Sequence, residues 1–387
     1  MKDFDRIIDR SNTYSVKWSH KVLEDMFKNK DVLPMWVADM DFQIAKPIQG
    51  AIHDLTKVSI YGYSASDEAN KALVNWMKKR HNCDLSVDEI INIPGVVFGI
   101  NNAVQVFTNP GDKILIQEPV YPPFSLAITN NGREKVSNDL IYNGKKFEVD
   151  LKDFEEKVKD KDLKMFILCS PHNPSGKIFT KDELEKMLKL CYENGVLVVA
   201  DEIHSDLIMP GKKYTSVLNI NEKYYENLII CTAPSKSFNI PGLQWSAIII
   251  KNEKLRERFN MHIRNLGYVQ TNEISMRAVK AAYNDSEKWL DDAIEYIYEN
   301  YKYFKEEIEK NTEIKVLNMP ATYLAFADFR AYDLSNEELD YRVFKKAQIG
   351  VNPGHSFGEQ GSGFMRFNLA CPRKIVEDAV ERLIQEF

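Results

Sequence analysis

The chain has 387 residues, 44% of them hydrophobic, and a formal net charge of -6 at pH 7, from 51 Lys and Arg against 57 Asp and Glu. That length and apolar content suffice for two domains around their own cores. The acidic balance argues against nucleic acid and anionic membranes as partners, and no apolar run approaches the ~20 residues that a membrane helix needs. The opening Met1-Lys2-Asp3-Phe4-Asp5 begins no signal peptide, so the cytoplasm is the expected compartment. The cysteines Cys83, Cys169, Cys191, Cys231 and Cys371 are odd in number and contain no C-x-x-C pair, and several fall inside apolar runs, so they read as reduced core residues. The histidines show no metal-ligand spacing, and there is neither a P-loop nor a strand-embedded G-x-G-x-x-G.

In chain order, the first element with a chemical reading is the turn Pro94-Gly95, which leads into a helix through Phe107. A glycine turn that opens a helix presents unpaired backbone N–H groups and a positive dipole end to an anion, so the amides of Val96 and Val97 are candidate phosphate donors. Residues 113–117 read as a strand, followed by Tyr121 in a proline-bracketed turn. Residues 164–169 are a short apolar run closed by Ser170-Pro171-His172-Asn173-Pro174-Ser175-Gly176, a dense turn signal that puts Asn173 at a strand's carboxyl end. Thr180 and Glu183 make a capping box, whose helix runs to about Asn194 before Gly195. The strand at 196–200 delivers Asp201-Glu202-Ile203-His204 at its own carboxyl end, and the apolar run 228–232 leads directly into Ala233-Pro234-Ser235-Lys236-Ser237.

Strands alternating with helices predict an α/β fold, a mainly parallel central sheet with helices on both faces. In such a sheet ligands bind outside the carboxyl ends of the strands, which turns Asn173, Asp201 and Lys236 toward one crevice. A long charged helix around 285–310 bridges to a smaller α+β domain, with strands at 322–328 and 364–369. The terminal helix after Pro372 sets Ile375, Val376, Ala379, Val380, Leu383, Ile384 and Phe387 on one face, a docking stripe for that domain's sheet. The expected division is an N-terminal segment 1–49 packing with the small domain, a large domain 50–285 and a small C-terminal domain 286–387.

A lysine at the exit of a buried strand is costly unless it has a partner or a covalent task. Pyridoxal phosphate needs a lysine amine for its aldehyde, an anion beside its ring nitrogen, a donor to its phenolic oxygen and a phosphate cradle. Lys236, Asp201 and Asn173 supply the first three, and the hydroxyls of Ser235 and Ser237 join the Val96 and Val97 amides as candidates for the fourth. Arg366, in an alternating strand, carries a guanidinium that can fork onto an amino-acid α-carboxylate. Taken singly, Asp201 is also an ordinary N-cap or turn residue, Asn173-Pro174 a turn, the serines around Lys236 a solvated loop and Arg366 a surface or domain-joining ion pair. Their order on successive strand ends favours the cofactor.

At this point the sequence resembles a fold-type I pyridoxal phosphate enzyme of the aminotransferase class I/II superfamily, and within it the cystathionine beta-lyase (MalY/PatB-type C-S lyase) family. The resemblance runs nearly end to end. Pro34-Met35-Trp36-Val37-Ala38-Asp39-Met40-Asp41-Phe42 and Asp201-Glu202-Ile203-His204 are specific to that branch, whereas the Asn-Pro-x-Gly and Ser-Lys elements are shared with aminotransferases. It implies that Lys236 is the Schiff-base lysine, Asp201 the partner of the pyridine nitrogen, Asn173 the donor to the phenolic oxygen, Tyr121 the ring that stacks on the cofactor and Arg366 the ligand of the substrate carboxylate. His204 stays open between cofactor contact and a histidine satisfied at a helix start. Gln244 stands where many aminotransferases have an arginine. That departure leaves the phosphate cradle less charged and favours a contribution from Tyr61, which resembles a tyrosine donated by the neighbouring subunit of a homodimer. The implied reaction is β-elimination from cystathionine or cysteine S-conjugates to a thiol, pyruvate and ammonia, with amino-acid transamination as the alternative. A regulatory binding protein on the same fold is a third reading, disfavoured by the complete set of lysine, aspartate, asparagine and arginine.

Overall fold

The computed structural model describes residues 3–387; Met1 and Lys2, which open the stretch read as no signal peptide, lie outside the described residues. The main sheet contains β1 (Ile90–Ile93), β2 (Lys113–Ile116), β3 (Glu134–Ser137), β4 (Leu163–Cys169), β5 (Leu197–Asp201), β6 (Leu228–Thr232) and β7 (Ser246–Ile249). Their spatial order is β1-β7-β6-β5-β4-β2-β3. The neighbours from β6 through β3 pair in parallel, while β7 runs antiparallel to both β6 and β1. The sheet is therefore mainly parallel, as expected, with one reversed strand that apolar patterning does not register, because a strand buried on both faces looks the same in either direction.

Side chains of β4 and β5 alternate between two cores. Phe166, Leu168, Val198 and Ala200 enter one, beneath the helix Lys181–Glu193, and Met165, Ile167, Cys169 and Val199 enter the other, beneath the helix Val96–Phe107. Burial on both sides explains why these strands read as unbroken apolar runs. Gly99 lets the helix Val96–Phe107 sit close to the sheet, since a Cβ there would lie 2.5 Å from Ile93 Cδ1 and 2.6 Å from Ile248 Cδ1. The amino end of that helix is thereby brought to the carboxyl edge of the parallel strands.

A second, antiparallel sheet has β8 (Lys315–Val316), β9 (Leu324–Asp328), β10 (Asn352–Pro353) and β11 (Phe364–Asn368) in the order β8-β9-β11-β10. The helix Arg373–Glu386 buries Ile375, Val376, Ala379, Val380 and Leu383. The 25-residue helix Glu287–Asn311 leads from the large sheet's helices to this small one. The N-terminal segment crosses over, and Leu33–Pro34 pairs in parallel with Ile349–Gly350. All five cysteines are buried and free. No helix among the described residues is long and apolar enough to cross a membrane, and no group of His, Cys, Asp and Glu among them could hold a metal ion.

Candidate active site

Between the carboxyl edge of the large sheet and the small sheet lies a cavity of about 440 Å³. Its walls come from the ends of β4 and β5, the turn after β6, the start of the helix Val96–Phe107, the small sheet and the chain at residues 36–38. A second hollow of about 430 Å³, beside Ser64, Asp88, Arg256 and Tyr268, contains none of the candidate residues.

Lys236 follows β6 by four residues, and its accessible surface is cavity wall. Its Nζ donates to the Ala38 carbonyl at 2.7 Å. Desolvation and the Arg366 cation bring the amine down to about 8, against the opposing pull of Asp39 and Asp201. A lysine near neutrality is able to act as nucleophile and base. Asp201 is the last residue of β5, and its side-chain bond comes from the Ile203 amide at 3.1 Å. The turn reading of Asp201 thus holds for one oxygen. Burial pushes its carboxyl up to about 7, with the Ile203 bond and the Lys236 charge working the other way. Such a carboxyl lacks the full cationic partner that would keep it ionised.

Arg366 is buried on β11, directly across from Asn352 and Phe326 in the sheet register. Its guanidinium donates to Asn173 Oδ1 at 2.9 Å, to Asn352 Oδ1 at 2.6 Å and to the Trp36 carbonyl at 3.0 Å, and it lies 4.8 Å from the centre of the Phe357 ring. These partners are all neutral. Its Nε is buried with no acceptor among the described residues, and desolvation draws its pKa down to about 10. A buried cation without an anion is expensive, and a carboxylate entering the cavity relieves that cost. The same contact fixes Asn173: arginine can only donate, so the asparagine oxygen faces it and Nδ2 is left as a donor toward the cavity.

His204 is buried, and its Nδ1 has no hydrogen-bond partner among the described residues. Desolvation and the charges of Lys236 and Arg366 hold it down to about 3, so the imidazole is neutral. Tyr121 lines the cavity at the N-cap of the helix Pro122–Thr129, edge-on to Phe124. The first amide of the helix Val96–Phe107 bonded to a preceding carbonyl is that of Gly99, onto Gly95, so the Val96 and Val97 amides stand outside the ladder and Gly95 provides no side-chain cap. Val96, Val97 and Ser235 share this end of the cavity.

Two candidates lie elsewhere. Ser237 is fully buried, and its hydroxyl donates to Asp206 Oδ2 at 3.1 Å, so it faces away from the phosphate end; alternate residues of the turn point to opposite sides. Tyr61 is 61% exposed and does not line the cavity of its own chain. Other groups enter unannounced by the sequence: Trp36, Val37 and Ala38, Asn352, Trp245 and Ser246 in the wall, and Tyr323, whose hydroxyl donates to Ala38 at 2.9 Å. The run 34–42 stood out as a motif, and the signal for its place was its mixture of buried apolar residues with Asp39 and Asp41 far from any strand pattern.

The model of the aminotransferase class I and II family matches residues 11–383, an interval that takes in every wall of this cavity. The chain belongs to the aminotransferase class I and II family. Within that family it is similar to Cystathionine beta-lyase PatB of Bacillus subtilis (strain 168), with 39% identity over 98% of each chain. Among solved structures, cystalysin from Treponema denticola, which contains pyridoxal 5'-phosphate, has a TM-score of 0.96 and 36% identity, covering 100% of this chain and 98% of that one. The PLP-bound C-S lyase from Staphylococcus hominis has a TM-score of 0.91 and 30% identity, covering 100% and 98%.

Proposed function

We propose that the chain is a pyridoxal 5'-phosphate-dependent carbon–sulfur β-lyase, which converts a sulfur-substituted amino acid such as cystathionine or a cysteine S-conjugate, with water, into a thiol, pyruvate and ammonia. The observation that carries this reading is the convergence in one cavity of the Lys236 amine, the underpartnered Asp201 carboxyl and the anion-free Arg366 guanidinium. The names of the full-length relatives, cystathionine beta-lyase and C-S lyase, support the same reaction class.

The residues fit the cofactor. A buried carboxyl pushed up to about 7 suits a cationic ring nitrogen, and a donor-only Asn173 Nδ2 suits a phenolic oxygen. The free amides of Val96 and Val97 with the Ser235 hydroxyl would suit a phosphate, Tyr121 would offer a stacking face, and neutral His204 lines the same cavity. When bound, pyridoxal phosphate supplies an electron sink for the pair left at Cα. Arg366 holds the substrate carboxylate and so fixes which Cα bond faces Lys236. The Lys236 amine, once neutral, takes the Cα proton at Nζ, and the sulfur leaves Cβ with the bonding pair. A proton from the Nζ ammonium then completes the thiol.

Sustained pyruvate release from cystathionine with no keto-acid acceptor is the expected result. A single turnover that stalls would support the second reading, transamination, which the family's own description favours. Arg366→Lys is expected to lower kcat/KM about 10- to 100-fold, mostly through KM, because an ammonium cannot make two parallel bonds to a carboxylate. An unchanged KM would remove Arg366 from the carboxylate site. The active form is a homodimer in which Tyr61 reaches the partner's phosphate end. The support for this is an exposed apolar edge at Ile60, Tyr61, Tyr63 and Val269, near which Ser64 bonds to the Thr271 carbonyl at 2.8 Å. Sedimentation of the holoenzyme at the mass of one chain would exclude it.

A further inference from the structure

Residues 36–38 line the cavity and run on to Met40 as a strap, each of whose carbonyl groups accepts from a side chain. The Trp36 carbonyl accepts from Arg366 at 3.0 Å, Val37 and Asp39 both accept from Asn368 Nδ2 at 2.7 and 2.6 Å, and Ala38 accepts from Lys236 Nζ at 2.7 Å and Tyr323 at 2.9 Å. Asn239 clasps the next residues. Its Oδ1 accepts from the Met40 amide at 2.9 Å, and its Nδ2 donates to the Met40 and Phe42 carbonyls, each at 3.0 Å. Backbone bonds tie its flanks, from the Met35 amide to the Gly350 carbonyl at 2.8 Å and from the Asp41 amide to the Ala370 carbonyl at 2.9 Å, and the Asp39 amide bonds locally to Val37 at 2.9 Å; between the flanks the side chains set how the strap faces the cavity.

Asn239 lies three residues after Lys236, in the same turn. One turn thus carries both the amine and the clasp that places the amine's acceptor. Its φ of +56° is in the left-handed region, which asparagine tolerates better than most residues. Beyond the clasp, Lys17, with a fully buried side chain, pairs with Asp41 at 2.6 Å, and Arg10 pairs with Asp39 and Asp41, each at 2.8 Å.

We infer that Asn239 is a positioning residue, which by clasping Met40 and Phe42 sets the Ala38 carbonyl against Lys236 Nζ and so aims the free amine at the substrate's Cα. The inference rests on Lys236 as the base proposed above. Neutral Nζ takes the Cα proton and becomes an ammonium; the carbonyl accepts a hydrogen bond from it and takes no proton. A bond to the charged form favours that form. The other groups facing Nζ are Arg366 from the small sheet, Asp39 from the strap, Asp201 from β5 and neutral His204. Asp39, between Ala38 and the clasped Met40, moves with the strap, and its charge favours the ammonium as the carbonyl does, so releasing the clasp lowers the midpoint through both. The Tyr323 hydroxyl shares the Ala38 oxygen and weakens what Lys236 receives.

The test uses the cofactor-free full chain, trace-labelled with acetic anhydride across pH and read at the Lys236 peptide by mass. Asn239→Gly keeps the left-handed backbone without strain and removes the clasp. The expected result is a labelling midpoint at lower pH, equivalent to about threefold more acetylation at pH 7. In the holoenzyme kcat falls about 10- to 100-fold with KM nearly unchanged. Tyr323→Phe leaves the Ala38 oxygen to Lys236 alone and moves the midpoint the opposite way, and it keeps the inference testable if Asn239→Gly does not fold. Midpoints that stay put, or that move in the same direction in both variants, overturn the inference and leave Asn239 a structural clasp. Pyruvate release surviving in Lys236→Ala would instead bring down the reading beneath it. An inactive Lys236→Ala beside an unmoved Asn239→Gly midpoint brings down only this inference.

Discussion

Lys236→Ala lowers kcat for pyruvate release by about 10⁴-fold or more, the full range of an acid–base group and more where the same amine also anchors the cofactor. The variant should fold. Removing the amine breaks no ion pair, and the Ala38 carbonyl keeps its bond from the Tyr323 hydroxyl, so no buried acceptor is stranded. Borohydride treatment of the unaltered holoenzyme places the reduced cofactor on the peptide containing residue 236, and treatment of the variant leaves it nowhere. A label at another lysine, or turnover within tenfold of the parent, would remove Lys236 from the chemistry.

Asp201→Asn lowers kcat by about 10³-fold, the loss seen when a preorganised electrostatic partner is removed from a dry site. The substitution keeps shape and the oxygen that receives the Ile203 amide. What goes is the negative charge that keeps a ring nitrogen protonated, and the absorbance of the bound cofactor reports that change directly. Stability moves the other way. In the cofactor-free chain burial raises the Asp201 carboxyl from the usual carboxylate range to about 7, so the folded state holds a proton that the unfolded chain has released. Its contribution to stability is complete at low pH and is lost as pH rises through about 7. The cofactor-free Asn variant lacks that loss, and thermal midpoints of the two chains should diverge between about pH 4 and pH 7 and keep a constant separation above it. Parallel curves would mean that Asp201 has a cationic partner after all.

Lys236, Asp201, Asn173 and Arg366 were legible in the sequence because each sits where a local signal is strong. Three follow apolar runs that end in turn residues, and the fourth lies in an alternating strand, so short-range patterning placed them at one edge before any tertiary contact was known. The reversed direction of β7 was not legible, since direction leaves no mark on a strand apolar on both faces. Nor was the orientation of Ser237, which depends on a buried carboxylate at Asp206. The strap was visible as a motif but not as a wall. Its contacts join residues such as Ala38 and Lys236, 198 positions apart, and no periodicity spans that distance.

The order of those distant contacts also has a bearing on assembly. Leu33–Pro34, at the start of the strap, finds its strand partner only in Ile349–Gly350, and the cation beside Asn173 arrives only with β11. Closing so long a loop is slow relative to forming the local helices. A chain in which β11 has not yet docked therefore lacks both the Arg366 bond that orients Asn173 and one wall of the cavity.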